Sequence, residues 1–135
     1  MERQKKVVDA SIVFKWFVQE EGSEKALMLR EKHLKGDVIL VAPELIILEV
    51  VNALKYKKKD KETLIKINEA LMMMQINLIP LNQFLVEKAI NASTEYDLTI
   101  YDAIYLALAQ IHGTSLITED KKLLETPNAI SLGSI

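Results

Sequence analysis

Short apolar runs alternate along the chain with longer segments in which apolar residues recur every three or four positions. The short runs predict buried strands and the longer segments predict helices. Four strands are predicted at residues 7–9, 38–41, 76–79 and 115–118, and a fifth short apolar run lies at 129–132. Helical segments separate most of these runs, which is typical of a parallel sheet covered on both faces. We therefore predict an α/β fold with four to five short parallel strands.

Residues that commonly begin helices mark several boundaries between these elements. Ser11 and Ser23 are expected to cap the helices that follow them, and Pro43 suits the first turn of a third helix. Thr99 is expected to cap a later helix that is apolar nearly all round. Because no repeat, linker or low-complexity stretch interrupts this order, we expect residues 1–135 to form one domain.

The composition excludes several classes of protein. Half of the 135 residues are apolar and 27% are charged, as in ordinary soluble domains. The absence of cysteine from the sequence excludes disulfides, zinc–thiolate sites and cysteine nucleophiles. A net charge of −2 argues against a protein that coats nucleic acid by bulk charge. No apolar run approaches the length of a membrane span, so we expect a cytoplasmic protein without a membrane partner.

Four acidic residues stand where an α/β fold could gather them. Asp9 follows the first predicted strand and Asp120 the fourth, and the carboxyl ends of parallel strands meet at one edge of the sheet. Glu49 interrupts an otherwise apolar helical run, and Asp102 opens another. Buried carboxylates are costly unless a cation lies between them. Since no cysteine and no suitably placed histidine accompanies them, an all-oxygen site favours Mg²⁺ or Mn²⁺.

Each of these acids also has a purely structural interpretation. Asp9 and Asp120 could cap the helices that follow them, and Asp102 has the capping-box spacing from Thr99. Glu49 could lie at the rim of its helix and reach water. On the residues alone, the structural interpretation and the metal interpretation both remain open.

Four segments, in this order, match the motifs of a known family. They are Val-Val-Asp9-Ala-Ser11, then Ala42-Pro-Glu-Leu leading to Glu49-Val-Val-Asn52, then Tyr101-Asp102-Ala-Ile-Tyr, then Leu-Ile-Thr118-Glu-Asp120. In these motifs the chain resembles the PIN domain family, and within it the VapC-type toxin ribonucleases. The resemblance covers nearly the whole chain, and the four motifs together are far more specific than any one of them.

The resemblance implies a fold and a set of functional residues. The fold would be a PIN-like three-layer α/β/α domain. The catalytic acids and metal ligands would be Asp9, Glu49, Asp102 and Asp120. The supporting polar residues would be Ser11, Asn52 and Thr118.

The resemblance also implies an activity and its partners. The expected activity is that of a Mg²⁺- or Mn²⁺-dependent endoribonuclease that hydrolyses RNA with a metal-activated water molecule. The expected protein is a homodimer paired with a VapB-type antitoxin. Two alternatives stay open: an RNA-processing or decay nuclease without an antitoxin, and a non-catalytic interaction module that kept the fold.

Overall fold

The five strands lie at the predicted apolar runs and form one parallel sheet. The computed structural model describes residues 4–135. Its strands are β1 (Gln4–Val8), β2 (Val38–Pro43), β3 (Asn77–Ile79), β4 (Leu116–Ile117) and β5 (Ala129–Ile130). They are ordered β3-β2-β1-β4-β5, and every neighbouring pair is parallel. The prediction of an α/β fold with a central parallel sheet is confirmed.

Helices cover both faces of this sheet. They are α1 (Ala10–Phe14), α2 (Ser23–Lys35), α3 (Leu45–Tyr56), α4 (Lys61–Met73), α5 (Gln83–Tyr96), α6 (Ile100–Ile111) and α7 (Lys121–Leu124), followed by a 3-10 turn at Leu132–Ser134. Leu40, Val41 and Ala42 are consecutive in β2 and fully buried, although successive side chains point to opposite faces. Across residues 4–135, none of the helices is long and apolar enough to cross a membrane.

Three of the predicted helix boundaries are wrong. Ser11 does not cap the first helix; the Asp9 side chain does, by accepting a hydrogen bond from the Ser11 backbone N–H at 3.1 Å. Ser23 is the first residue of α2, and its hydroxyl instead donates to the Val18 carbonyl at 2.8 Å. Pro43 is the last residue of β2, where it pairs with Ile79 of β3, and α3 begins only at Leu45.

The chain order of the strands creates a crevice beside β1. From β1 the chain builds β2 and β3 on one side, and it later returns to place β4 and β5 on the other. At such a reversal, the loops that leave the two central strands diverge and leave an opening at their carboxyl ends. Asp9 and Thr118 directly follow β1 and β4, so both residues lie at this opening.

A histidine joins α2, β2 and the end of α4. His33, near the end of α2, accepts a hydrogen bond at Nδ1 from the Leu40 backbone N–H, with an N–N distance of 3.1 Å. Since Nδ1 is the acceptor, Nε2 carries the proton and donates to the Met74 carbonyl at 2.8 Å. The imidazole thus fixes α2 against β2 and against the end of α4, and this use leaves it no role at the crevice.

Candidate active site

The Asp9 carboxylate is the most constrained group at the crevice. Only 5% of the residue is exposed. Its Oδ1 accepts hydrogen bonds from the Ser11 backbone N–H at 3.1 Å and from the Ser11 hydroxyl at 2.5 Å. Its Oδ2 accepts a hydrogen bond from the Thr118 hydroxyl. Because each carboxylate oxygen accepts about two hydrogen bonds, Oδ2 is the oxygen with remaining capacity for a ligand.

The two hydroxyls that bind Asp9 are themselves held by the loop after β4. The Ser11 oxygen accepts from the Glu119 backbone N–H at 3.1 Å, and the Thr118 oxygen accepts from the Asp120 backbone N–H at 2.9 Å. Each hydroxyl therefore has its proton directed at Asp9 and its lone pair directed at the backbone. Ser11 and Thr118 therefore tie the Asp9 carboxylate to the loop after β4.

Asp120 and Asp102 face one another from the starts of two helices. Asp120 caps α7 by accepting from the Leu123 backbone N–H at 2.9 Å. Asp102 lies in the first turn of α6, where its backbone N–H donates to the Thr99 hydroxyl at 3.1 Å. The pKa of the Asp102 carboxyl is raised, first by burial and then by the negative charge of Asp120. Both residues thus fulfil the structural interpretation and still place charge at a common opening.

Glu49 reaches the same opening from α3. Its carboxylate is half-buried and accepts a hydrogen bond from the Tyr105 hydroxyl on α6. Burial raises the pKa of the Glu49 carboxyl, the Tyr105 hydrogen bond lowers it, and the charge of Asp102 raises it again. Glu49 is therefore held by a partner inside the protein while it remains partly exposed.

These four carboxylates form one group, which we call the acidic edge: Asp9, Glu49, Asp102 and Asp120. The charges of three of them, Asp9, Glu49 and Asp102, all raise the pKa of the Tyr105 hydroxyl, and the fourth raises that of Asp102. The group is open. Within residues 4–135, no three acidic, histidine or cysteine side chains lie close enough together, as they stand, to hold a metal ion between them.

Three other polar residues, two of them in the motifs, are not members of the acidic edge. Asn52 is exposed on α3, almost one turn beyond Glu49. Asp97 is a fully exposed residue after α5 that contacts Lys122 at 3.5 Å. Glu44 accepts a hydrogen bond from the Leu81 backbone N–H at 3.3 Å, so it joins two loops and does not face the crevice acids.

One residue of the site is not among those predicted from the sequence. Tyr105 is 2% exposed and lies in a stretch of α6 whose other members are apolar, from Ala103 to Ala109. A buried phenol hydroxyl requires a hydrogen-bond partner. The signal was therefore present in the sequence as one hydroxyl in an otherwise apolar helix three residues after Asp102.

The ionisation of Asp9 should make the stability of the protein depend on pH when divalent ions are absent. Burial raises the pKa of the Asp9 carboxyl to about 6, although its hydrogen bonds with Ser11 and Thr118 oppose the rise. An aspartate in the unfolded chain has a pKa of about 3.9, so the folded state holds the proton more strongly. The contribution of Asp9 to the free energy of unfolding is then fully present below about pH 4. It is lost as the pH rises through 6, and the loss amounts to about 3 kcal/mol.

Urea unfolding in EDTA between pH 4 and 7.5 measures this effect. Asp9→Asn cannot ionise, so its free energy of unfolding should fall less than that of the wild type across this range. Asp37→Asn changes an exposed aspartate and should keep the wild-type dependence. Parallel curves for the wild type and Asp9→Asn would show that Asp9 ionises as easily in the folded chain as in the unfolded one.

Two relatives with different degrees of identity resemble the chain. It is 30% identical over 128 residues to Ribonuclease VapC3 of Pyrobaculum aerophilum, a match that covers 90% of this chain and 93% of the relative. A toxin–antitoxin complex from Klebsiella pneumoniae contains a chain that superposes with a TM-score of 0.70 at 23% identity, over 94% of this chain and 97% of that one. The second likeness shows the fold.

A third likeness also concerns the fold, and a family model covers most of the sequence. The Mycobacterium tuberculosis toxin VapC20, described as cleaving the sarcin–ricin loop, superposes with a TM-score of 0.69 at 12% identity, over 89% of this chain and 94% of that one. The model of the PIN domain matches residues 6–129. With that match, the parallel sheet flanked by helices and the acids at its carboxyl edge, the chain belongs to the PIN domain family.

Proposed function

We propose that this protein is a Mg²⁺- or Mn²⁺-dependent endoribonuclease, the toxin of a VapBC-type toxin–antitoxin pair. The observation that carries the proposal is the acidic edge, where the charge of Asp102 raises the pKa of Glu49 and the charge of Asp120 raises the pKa of Asp102. Ion pairs among residues 4–135 join Lys15 to Glu20, Arg30 to Glu31 and Lys122 to Asp97, so they leave the edge unpaired. The 30% sequence identity between this chain and Ribonuclease VapC3 supports the choice of RNA as substrate.

The donor chemistry of the acidic edge fits a hard divalent cation. Mg²⁺ binds oxygen ligands, keeps several water molecules and takes one or two protein carboxylates together with substrate phosphate oxygens. An open edge suits such an ion better than a closed cage would. Asp9, through Oδ2, and Asp102 would hold it, with Glu49 and Asp120 as further ligands. When bound, such an ion supplies an acidified water molecule and stabilises charge that develops on the phosphate.

The protein's own residues would prepare the site and hold the substrate. Ser11 and Thr118 fix the orientation of the Asp9 carboxylate, so that it needs little rearrangement on binding. Either Glu49 or Asp120 would orient the attacking water molecule. Lys122 is exposed, and its charge lowers the pKa of Asp102, so it lies close enough to the edge to contact an RNA phosphate.

Neutralising Asp102 tests the catalytic proposal directly. Asp102→Asn keeps the shape of the side chain and its place in the first turn of α6 but removes its charge. We expect RNA cleavage to fall by about a hundredfold or more, as when an electrostatic group is removed from other active sites. The measurement is cleavage of a mixed-sequence RNA in Mg²⁺ or Mn²⁺, and Asp37→Asn, at an exposed position before β2, is the matched control.

Two outcomes would count against the catalytic proposal. Full activity in Asp102→Asn, with only a lower melting temperature, would mean that Asp102 serves the helix alone. Addition of Mn²⁺ to the wild type should raise its melting temperature, because an ion that binds only the folded chain stabilises it. No rise would leave the acidic edge without a metal and favour a non-catalytic interaction module.

The ends of the RNA products test the mechanism. A bound metal ion would supply an acidified water molecule as nucleophile in place of the RNA 2′-hydroxyl, so we expect a 5′-phosphate and a 3′-hydroxyl. The candidate imidazoles do not supply an acid–base pair: His33 joins α2, β2 and α4, and His112 lies at the end of α6. Mass spectrometry of the fragments distinguishes these ends. A 2′,3′-cyclic phosphate formed in EDTA would exclude the metal mechanism.

The proposal also includes two protein partners. We expect a VapB-type antitoxin to place an Arg or Lys against the acidic edge, as a charge-assisted hydrogen bond would favour. Replacing Glu49 and Asp120 together by Gln and Asn should then weaken its binding, measured by calorimetry with the product of a neighbouring reading frame. The absence of such a reading frame would favour a processing or decay nuclease.

We expect the toxin alone to be a homodimer. A mass of 15.3 kDa in light scattering would exclude the homodimer.

A further inference from the structure

Tyr105 is a buried side chain that joins two helices at the acidic edge. It lies on α6, one turn after Asp102, and is 2% exposed. Its hydroxyl donates a hydrogen bond to Oε1 of Glu49 on α3, 56 residues earlier in the chain. A phenylalanine would fill nearly the same volume without this bond, so packing alone does not require a tyrosine at this position.

The environment of the hydroxyl keeps its proton in place. Burial and the charges of Glu49, Asp9 and Asp102 all oppose loss of its proton and raise the pKa of Tyr105 far above its ordinary range. A neutral phenol hydroxyl can donate one hydrogen bond, and here that bond is directed at a carboxylate. Hydrogen bonds to charged groups are among the stronger ones in proteins.

Without this hydrogen bond, the Glu49 side chain would favour a conformation that points away from the acidic edge. It is half-buried and is repelled by the charge of Asp102, and both effects favour a side-chain rotamer that points to solvent. A glutamate has three rotatable side-chain bonds, and α3 offers an exposed surface nearby, where Leu48 is 70% exposed. Some attractive contact must therefore keep the carboxylate at the edge, and the Tyr105 hydroxyl supplies it.

We propose that Tyr105 is a positioning residue: its hydroxyl holds the Glu49 carboxylate at the acidic edge, in place to bind the metal or to orient water. The proposal rests on the proposed function for its effect on cleavage, but the contact itself can be tested without any activity. Tyr105 does not touch the substrate in this scheme, and it acts only through Glu49. Partners of metal-binding residues commonly change metal affinity or activity by tenfold or more when they are removed.

Tyr105→Phe removes the hydroxyl and keeps the ring. In RNA cleavage we expect kcat to fall on the order of tenfold with KM nearly unchanged, and we expect the rise in melting temperature on adding Mn²⁺ to become smaller. Tyr56→Phe makes the same change at an 82% exposed tyrosine at the end of α3 and should leave both measurements unchanged. Ile104→Val, in the buried part of α6, lowers stability without touching Glu49, and it controls for a merely weakened core.

A double-mutant cycle with Glu49→Ala decides whether Tyr105 acts through Glu49. In the wild-type background, Tyr105→Phe should lower the melting temperature by several degrees. In the Glu49→Ala background the hydroxyl is buried without its partner, so the same change should have no cost or should raise the melting temperature. Cleavage should show the same pattern: once Glu49 is absent, Tyr105→Phe should cause no further loss.

The outcomes separate this proposal from the proposed function. If the wild type does not cleave RNA, the proposed function fails, and the Mn²⁺ shift and the melting-temperature cycle still test Tyr105. Equal losses from Tyr105→Phe in both backgrounds would overturn the positioning role, because the hydroxyl would then act independently of Glu49. Wild-type cleavage and a wild-type Mn²⁺ shift in Tyr105→Phe would overturn it as well.

Discussion

The hydrogen bonds around the Asp9 carboxylate are the constraint on which the rest of the site depends. They begin at the end of β1, pass through Ser11 and Thr118, and end on backbone N–H groups of the loop after β4. A carboxylate this deeply buried would be costly without them. The same bonds fix the loop that carries Asp120, so a single polar network both satisfies Asp9 and sets the distance between the two sides of the crevice.

The elements could be predicted from the sequence because the apolar pattern is strong and most helix signals are local. Thr99 and Asp120 cap α6 and α7 with their own side chains, as the sequence indicated. The prediction for Ser11 is wrong because Asp9, a second residue able to cap the helix, lies two positions before it. The prediction for Ser23 is wrong because its hydroxyl donates to a different acceptor. Asp9 took the cap of α1, and the Ser23 hydroxyl bonded to Val18. Local rules cannot rank such competitors, since the choice depends on contacts across the fold.

The positions of the acids could be predicted, but the way they are held could not. The carboxyl ends of parallel strands account for Asp9 and Asp120, and the apolar helices account for Glu49 and Asp102. The structural interpretation holds at Asp9 and Asp120, whose side chains cap α1 and α7, and Asp102 lies in the first turn of α6. The contact between Tyr105 and Glu49 links residues 56 positions apart, and no spacing rule along the sequence indicates such a pair.

The strand order has a consequence for the synthesis of the protein. β1 is made first, yet one of its neighbours, β4, is separated from it by most of the chain, and Thr118 lies 109 residues after the Asp9 that it contacts. Contacts between distant residues form late, since a long loop must be closed before they contribute. A nascent chain that has not yet exposed residues 115–120 outside the ribosome therefore cannot complete the Asp9 network. Whatever chemistry this edge performs can therefore begin only after residues 115–120 have left the ribosome and reached Asp9.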